Sequence, residues 1–341
     1  MLVFLRITAN LVAKYILMRK FRLTAILIAI TVVCAFNVTP QQAYALTVGE
    51  VYLGGYPICL EMQSDGPIVS AVNENYCTVG DVKKGDVIKK INGVPVQSRL
   101  DVMEIISQKE LTIPLVITVL RNNTMTTVQL MPEKDVCSNK PKLGFSMKDG
   151  VSGLGTMTCM TESCCFYALG HPISDGDSSS EFVCRSGNVY PCDVCGYEKP
   201  SYSKPGRIIG RSSGSAIGEI SENSRFGLKG TSTEVLYGEK VSLLPRTQVK
   251  PGKANILTTV GAEMESFEIE IVKACSQSVP TEKGMVIRVT DEDLLRRTGG
   301  ILQGMSGSPI VQNGKLAGAV THVFTNDPTQ GYGVYIEWIL A

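Results

Sequence analysis

Three groups in this chain could together perform nucleophilic acyl transfer. They are a serine on a glycine turn, a histidine on another, and a carboxylate at a strand end. Ser306 lies in Gly299–Pro309, reading G-G-I-L-Q-G-M-S-G-S-P, with a strand-like Ile310–Val311 behind it. The glycines allow positive φ and keep side chains away from an approaching substrate. They also leave main-chain N–H groups aimed at one spot, which an oxyanion requires. The competing reading is a Gly/Ser-rich turn between two strands.

A serine nucleophile needs a general base, and the chain has two histidines. His171 sits in A-L-G-H-P-I-S-D, a glycine-preceded turn after an apolar run, and is the expected base. His322 sits in G-A-V-T-H-V-F, a β-branched apolar run, where a packed, supporting histidine is expected. The carboxylate that orients the imidazole is expected at Asp291, after the strand-like Met285–Thr290. Asp175, Asp293 and Asp327 compete with it, and Asp175 could instead close an Asx turn. Asp291 has a second reading too. The run Asp291-Glu292-Asp293-Leu294-Leu295-Arg296-Arg297 reads as a short helix capped by Asp291.

The segment G-M-S-G-S-P resembles the G-D-S-G-G-P of chymotrypsin-like serine proteases. That match implies Ser306 as nucleophile and the N–H groups of Gly304 and Ser306 as oxyanion donors, with Ser308 at the second glycine. The order His171, Asp291, Ser306 is the chymotrypsin order, but Asp291 and Ser306 lie much closer in sequence. Three stretches together resemble the stage IV sporulation protein B serine peptidases of endospore-forming bacteria: A-L-G-H-P-I-S-D, V-I-R-V-T-D, and the run from T-G-G-I-L-Q-G-M-S-G-S-P to Y-I-E-W-I-L. That resemblance implies a triad of His171, Asp291 and Ser306. The family usually reads G-H-G-I-T-D, so Pro172 and Ser174 are departures. It further implies self-processing in the N-terminal region, and action between the forespore and mother-cell membranes. There such peptidases cleave a membrane-associated regulator of an intramembrane metalloprotease, which activates a late sigma factor. No metal or organic cofactor is expected for the chemistry.

These groups must be positioned by a mostly β chain. Its 341 residues include 33 glycines, 16 prolines and many short β-branched runs. Net charge is +1 and pI about 7.4, which gives no electrostatic case for nucleic acid. Residues 1–45 form an expected signal or anchor segment. A basic start precedes the 16-residue uncharged run Leu23–Val38, and Ala43-Tyr44-Ala45 has the form of a signal-peptidase site. Anchor and cleaved signal both remain open, since a spanning helix needs about 20 residues. Either way the rest is exported.

Residues 46–132 resemble a PDZ domain, carried chiefly by Gly80–Gly93 with its Asn92-Gly93 hairpin signal. An amphipathic helix is expected over Arg99–Gln108, with Leu100, Met103 and Ile106 apolar and Val102 and Ile105 beside them. The resemblance puts the peptide-binding loop at Gly54, Gly55, Tyr56 and Ile58, although Pro57 lacks an N–H. A purely structural spacer is the alternative. Residues 133–341 form the expected peptidase domain, a trypsin-like pair of β-barrels with the site between them. Of eleven cysteines, Cys192 and Cys195 (C-D-V-C-G) with Cys184 could hold a structural zinc, alongside Cys164 or Cys165. Disulfides and free thiols are the other readings. A rival function for the whole chain is a non-catalytic, membrane-tethered PDZ adaptor.

Overall fold

The computed structural model describes residues 49–73, 81–108, 113–135, 141–174, 184–202, 204–234 and 238–341. The expected signal or anchor segment, Asp175 and the side chain of Cys184 lie outside the described residues. Among those described, no helix is long and apolar enough to cross a membrane.

The chain from Leu46 to Ala341 is one compact unit. Its strands are β1 (Glu50–Leu53), β2 (Pro57–Val72), β3 (Val87–Ile91), β4 (Leu115–Arg121), β5 (Thr124–Leu130), β6 (Phe145–Met160), β7 (Cys165–Ala168), β8 (Cys184–Glu198), β9 (Arg207–Ser212), β10 (Gly218–Ser224), β11 (Gly227–Ser232) and β12 (Lys240–Ser242). A second set follows: β13 (Gly252–Thr259), β14 (Met264–Ala274), β15 (Met285–Val289), β16 (Pro309–Gln312), β17 (Lys315–Phe324) and β18 (Asp327–Tyr335). Among the described residues three helices intervene: α1 (Arg99–Ser107), α2 (Glu292–Thr298) and α3 (Ile336–Ile339).

Two barrels result. Pairing runs β6–β7–β11–β10–β8–β2 and returns from β2 to β6, so these strands close on themselves. The second set closes in the order β13–β14–β15–β18–β17–β16. Each barrel has its own apolar interior. Ile58, Leu60, Met62, Met157, Phe166 and Val189 fill the first. Ile256, Ile269, Ile287, Ile310 and Val334 fill the second. A mostly β chain with paired barrels is what the sequence led us to expect.

The PDZ portion has a third core, including Ile88, Ile91, Val102, Ile106, Ile117 and Val119. Helix α1 begins at a reciprocal cap, in which Ser98 and Asp101 each bond the other's backbone N–H. It buries Val102 and Ile106, an i, i+4 pair, while Leu100 and Met103 are exposed. The expected apolar face was therefore misplaced around the helix.

The PDZ portion and the first barrel share a strand. Strand β2 belongs to both. Pro57–Gln63 pair with Thr156–Gly150 of β6 and with β8, inside the barrel, whereas Ile68–Val72 pair with the start of β6. Ile68 also pairs with Val87 of β3. The register breaks between Gln63 and Ile68, where Gly66 has φ +132°. Residues 57–63 thus pair with strands of the first barrel.

Gly54 N–H donates to the Thr158 carbonyl (3.0 Å), Gly55 N–H to Met157 (2.8 Å), and Met157 N–H to Tyr56 (3.0 Å). The Gly55 carbonyl accepts from Thr259 Oγ1 of the second barrel at 3.1 Å. Ile58 is buried in the first barrel. These bonds tie Gly54, Gly55 and Tyr56 to strands of both barrels.

Candidate active site

Ser306 is presented by a turn that the first barrel clamps. Thr156 N–H donates to the Ser306 carbonyl (2.9 Å), and Thr156 Oγ1 to the Gly304 carbonyl (2.8 Å). Two residues on, Thr158 Oγ1 donates to the Gly307 carbonyl at 2.8 Å. Alternate residues of a strand share a face, so one edge of β6 supplies both hydroxyls. From the second barrel, Gly307 N–H donates to the Val320 carbonyl (2.8 Å) and Val320 N–H to Ser308 (3.0 Å). Gly307 has φ +97°, and a Cβ there would lie 2.0 Å from the Thr156 carbonyl oxygen. Only glycine fits that position. Gln303 exchanges two main-chain bonds of 2.8 Å with Gly206 and Ile208, which fixes the chain entering the turn.

Among the described residues, the N–H groups of Gly304 and Ser306 meet no carbonyl, while those of Met305, Gly307 and Ser308 do. The Ser306 hydroxyl donates to the Thr321 carbonyl at 2.7 Å. Ser308 is fully buried, and its hydroxyl has no partner among the described residues.

His171 reaches this turn from the end of β7. Leu169 and Gly170 both take positive φ, near +70°, which reverses the chain. Ile173 is held by Asn223, whose side chain bonds both its N–H (2.9 Å) and its carbonyl (3.0 Å). The Nδ1 of His171 lies 2.9 Å from the Pro172 carbonyl. A carbonyl can only accept, so Nδ1 carries the proton and Nε2 is left as the basic nitrogen. The rings of His171 and His322 lie 4.8 Å apart. Burial pushes the His171 imidazole below its ordinary value, against the Pro172 bond and the negative charge of Glu282. Burial also lowers His322, helped by His171 and Lys283.

Ser306, Gly304, His171, Thr321, His322 and Glu282 line one cavity of about 630 Å³, with Leu60, Leu154, Leu169, Ile301 and Leu302 as apolar walls. It thus combines a serine hydroxyl, an imidazole with a free nitrogen, and two open N–H groups in a largely apolar cleft. That is the equipment for acyl transfer.

Asp291 sits at the head of a helix. It is the N-cap of α2, accepting from the N–H groups of Asp293 and Leu294, each at 3.0 Å. Its other oxygen accepts from Glu268 N–H at 3.3 Å. It is not among the residues lining the cavity. The helix-cap reading of its sequence is the one seen. Asp293 pairs with Arg296 and Arg297, and Asp327 with Thr329 and Gln330.

Among the described residues, the cysteines expected to hold zinc do not converge on one point either. The Cys192 thiol faces Cys59 and the Gly210 backbone, whereas exposed Cys195 donates to the Asp193 carbonyl at 3.6 Å. Among the described residues, no group of three or more His, Cys, Asp or Glu side chains could hold a metal ion.

Sequence reasoning missed Thr156, Thr158, Asn223 and Glu282. The alternation in Thr156-Met157-Thr158 was a signal that both hydroxyls share a face. Nothing local pointed to Asn223 or Glu282.

A family model described as SpoIVB peptidase S55 matches residues 139–340, and a PDZ domain model matches residues 55–131. No curated protein matches the chain. Among solved structures, the Rv3671c protease from M. tuberculosis in its active form is similar at 12% identity and TM-score 0.35, over 56% of this chain and 72% of that one. The HtrA-type protease AlgW with a decapeptide is similar at 13% identity and TM-score 0.36, over 60% of this chain and 52% of that one. The family match spans more than half of the sequence: the chain belongs to the SpoIVB peptidase S55 family and is a serine peptidase that also carries a PDZ domain.

Proposed function

We propose that the chain is a serine endopeptidase in which Ser306 is the nucleophile and His171 the general base, with Asp291 the triad carboxylate that the family resemblance implies. The observation that carries this is the shared cavity: Ser306, His171 and the uncommitted N–H groups of Gly304 and Ser306 line or border one cleft. The Ser306 hydroxyl turns from the Thr321 carbonyl toward Nε2 of His171, attacks the scissile carbonyl, and passes its proton to the imidazole. His171 then returns that proton to the leaving amine. The N–H groups of Gly304 and Ser306 hold the oxyanion.

The biological setting is proposed from the family. The peptidase is exported across, or anchored in, the cytoplasmic membrane by its N-terminal segment, on the forespore side of the intermembrane space. It trims its own N-terminal region. It then cleaves a membrane-bound regulator of an intramembrane metalloprotease during endospore formation, and so activates a late sigma factor.

Reaction with a fluorophosphonate probe tests the chemistry. Labelling at Ser306, lost in Ser306→Ala, supports it. An unlabelled protein that still recruits a membrane partner supports the adaptor reading instead. Mapping the cut that wild type makes in a Ser306→Ala copy would locate self-processing.

A further inference from the structure

Extended peptides bind PDZ domains by adding a strand to a sheet edge beside a helix. In this chain the second half of β2 has β3 on one side, through Ile68 and Val87. Its other edge is filled by the chain itself. Ile68, Val69, Ala71 and Val72 pair antiparallel with Lys148, Met147, Ser146 and Phe145, at the start of β6. Asn73 N–H donates to the Gly144 carbonyl at 2.9 Å and extends the pairing. Leu143, Phe145 and Met147 alternate along the chain, so they share one face. Leu143 is buried in the PDZ core and the other two pack against it, where α1 contributes Val102 and Ile106. Asp149 closes the far end. Its carboxylate accepts from the backbone N–H of Arg99 (2.6 Å) and from Arg99 Nε (3.1 Å), at the first residue of α1. The PDZ match ends at residue 131 and the peptidase match begins at residue 139. The strand lying between β2 and α1 is therefore peptidase sequence.

We propose that β6 is the resident ligand of the PDZ groove, and that its seating there supports the nucleophile turn at the strand's other end. The second half of that statement rests on Ser306 as nucleophile; the first does not. One strand, Phe145–Met160, carries both functions. Thr156 and Thr158 bond the carbonyls of Gly304, Ser306 and Gly307. Met147 and Thr156 are about 30 Å apart along an extended strand. A partner peptide that binds by strand addition has to displace Phe145–Met147. It competes with a tethered ligand, whose effective concentration is on the order of millimolar. Peptide binding at this groove and reactivity at Ser306 are thus opposed.

The test uses the full chain and a fluorescent peptide of the sequence Leu143–Asp149, L-G-F-S-M-K-D. Ala71 and Ser146 face each other in the pairing and both are exposed. Ala71→Cys with Ser146→Cys should therefore form a disulfide with oxidised glutathione, mapped by mass spectrometry. The cross-linked chain should bind no peptide and should label Ser306 with a fluorophosphonate at the wild-type rate. Phe145→Asp with Met147→Asp should unseat the strand. That chain should bind the peptide at least tenfold more tightly than wild type and label at least tenfold more slowly. If it fails to fold, Phe145→Ala with Met147→Ala takes its place. Absence of the cross-link overturns the proposal, as does equal peptide binding by the cross-linked and unseated chains. A cross-linked chain that labels only after reduction also overturns it, since the seated strand would then inhibit. Wild type that fails to label at Ser306, with the cross-link and peptide results as expected, defeats the nucleophile assignment instead and leaves the resident ligand standing.

Discussion

The imidazole of His322 lies against that of His171, with ring centroids 4.8 Å apart and planes tilted by 38°. One comes from the end of β7 in the first barrel, the other from β17 in the second. Burial is the largest cause lowering both imidazoles below their ordinary value.

A pH prediction follows from that pair. The acid limb of Ser306 reactivity should lie below the ordinary histidine value of about 6.5. Stability should behave in the same sense. Both folded values are lowered, so the unfolded chain binds protons more readily as pH drops through about 6.5. Folding stability is therefore lost toward acid and unaffected by these groups well above that pH. Denaturant midpoints at several pH values check this. His171→Ala should abolish labelling, while His322→Ala should reduce it in part. An acid limb above 6.5 would show that a carboxylate outweighs burial.

The two serines of the turn should separate cleanly. Ser306→Ala should remove nearly all turnover, about 10⁶-fold for a nucleophile acting with its base. Ser308→Ala should keep most activity and equal or exceed wild-type stability. Its hydroxyl is buried without a partner among the described residues, and an unsatisfied buried hydroxyl costs about 1–3 kcal/mol. Melting temperature and labelling rate together decide the point. A dead Ser308→Ala with an active Ser306→Ala reverses the assignment.

What could be read in the sequence was local. The turn at Gly304–Ser308 and the reversal at Leu169–Gly170 depend on glycines beside the functional residue, and both were legible. Asp291 was ambiguous because the same residue suits a strand-end catalytic acid and a helix cap; the cap is visible in its bonds from the N–H groups of Asp293 and Leu294. Gly54-Gly55-Tyr56 was ambiguous because a glycine turn before a strand suits a PDZ loop and a barrel connection equally well. Its true partners, Met157 and Thr158, lie about a hundred residues away, and such pairing leaves no local trace. Glu282 was hidden for the same reason.

That pairing gives a prediction for Gly54. A Cβ at Gly54 would fall 2.0 Å from the Met157 carbonyl oxygen. Gly54→Glu should therefore disrupt the peptidase barrels rather than block a peptide groove. Loss of Ser306 labelling, with a lowered melting temperature, is expected. A fully labelled, normally stable Gly54→Glu would place the loop back on the PDZ surface.

Helix α2 offers a stability test independent of catalysis. Asp291→Ala should cost about 1 kcal/mol, the typical value of an N-cap, while Asn can still cap. Chemical denaturation of Asp291→Ala and Asp291→Asn measures this. Equal losses in both would mean that the carboxylate charge, and not its capping bonds, matters to the fold.

The clamp on the nucleophile turn should be as consequential as the turn itself. Thr158 is fully buried and donates to Gly307, the residue after the nucleophile. Thr158→Val keeps the shape and removes the hydroxyl. The Gly307 carbonyl then loses a buried donor, at a cost of roughly 1–3 kcal/mol. Because the same turn aims the N–H of Ser306, labelling should slow by more than the stability loss alone implies, since small misplacements of reacting groups cost about 10²-fold. Thr158→Ser restores the hydroxyl without the methyl and should recover the labelling rate even if some stability is lost. If Thr158→Val loses stability yet labels Ser306 at the wild-type rate, the clamp supports the barrel alone and does not set the geometry of the nucleophile.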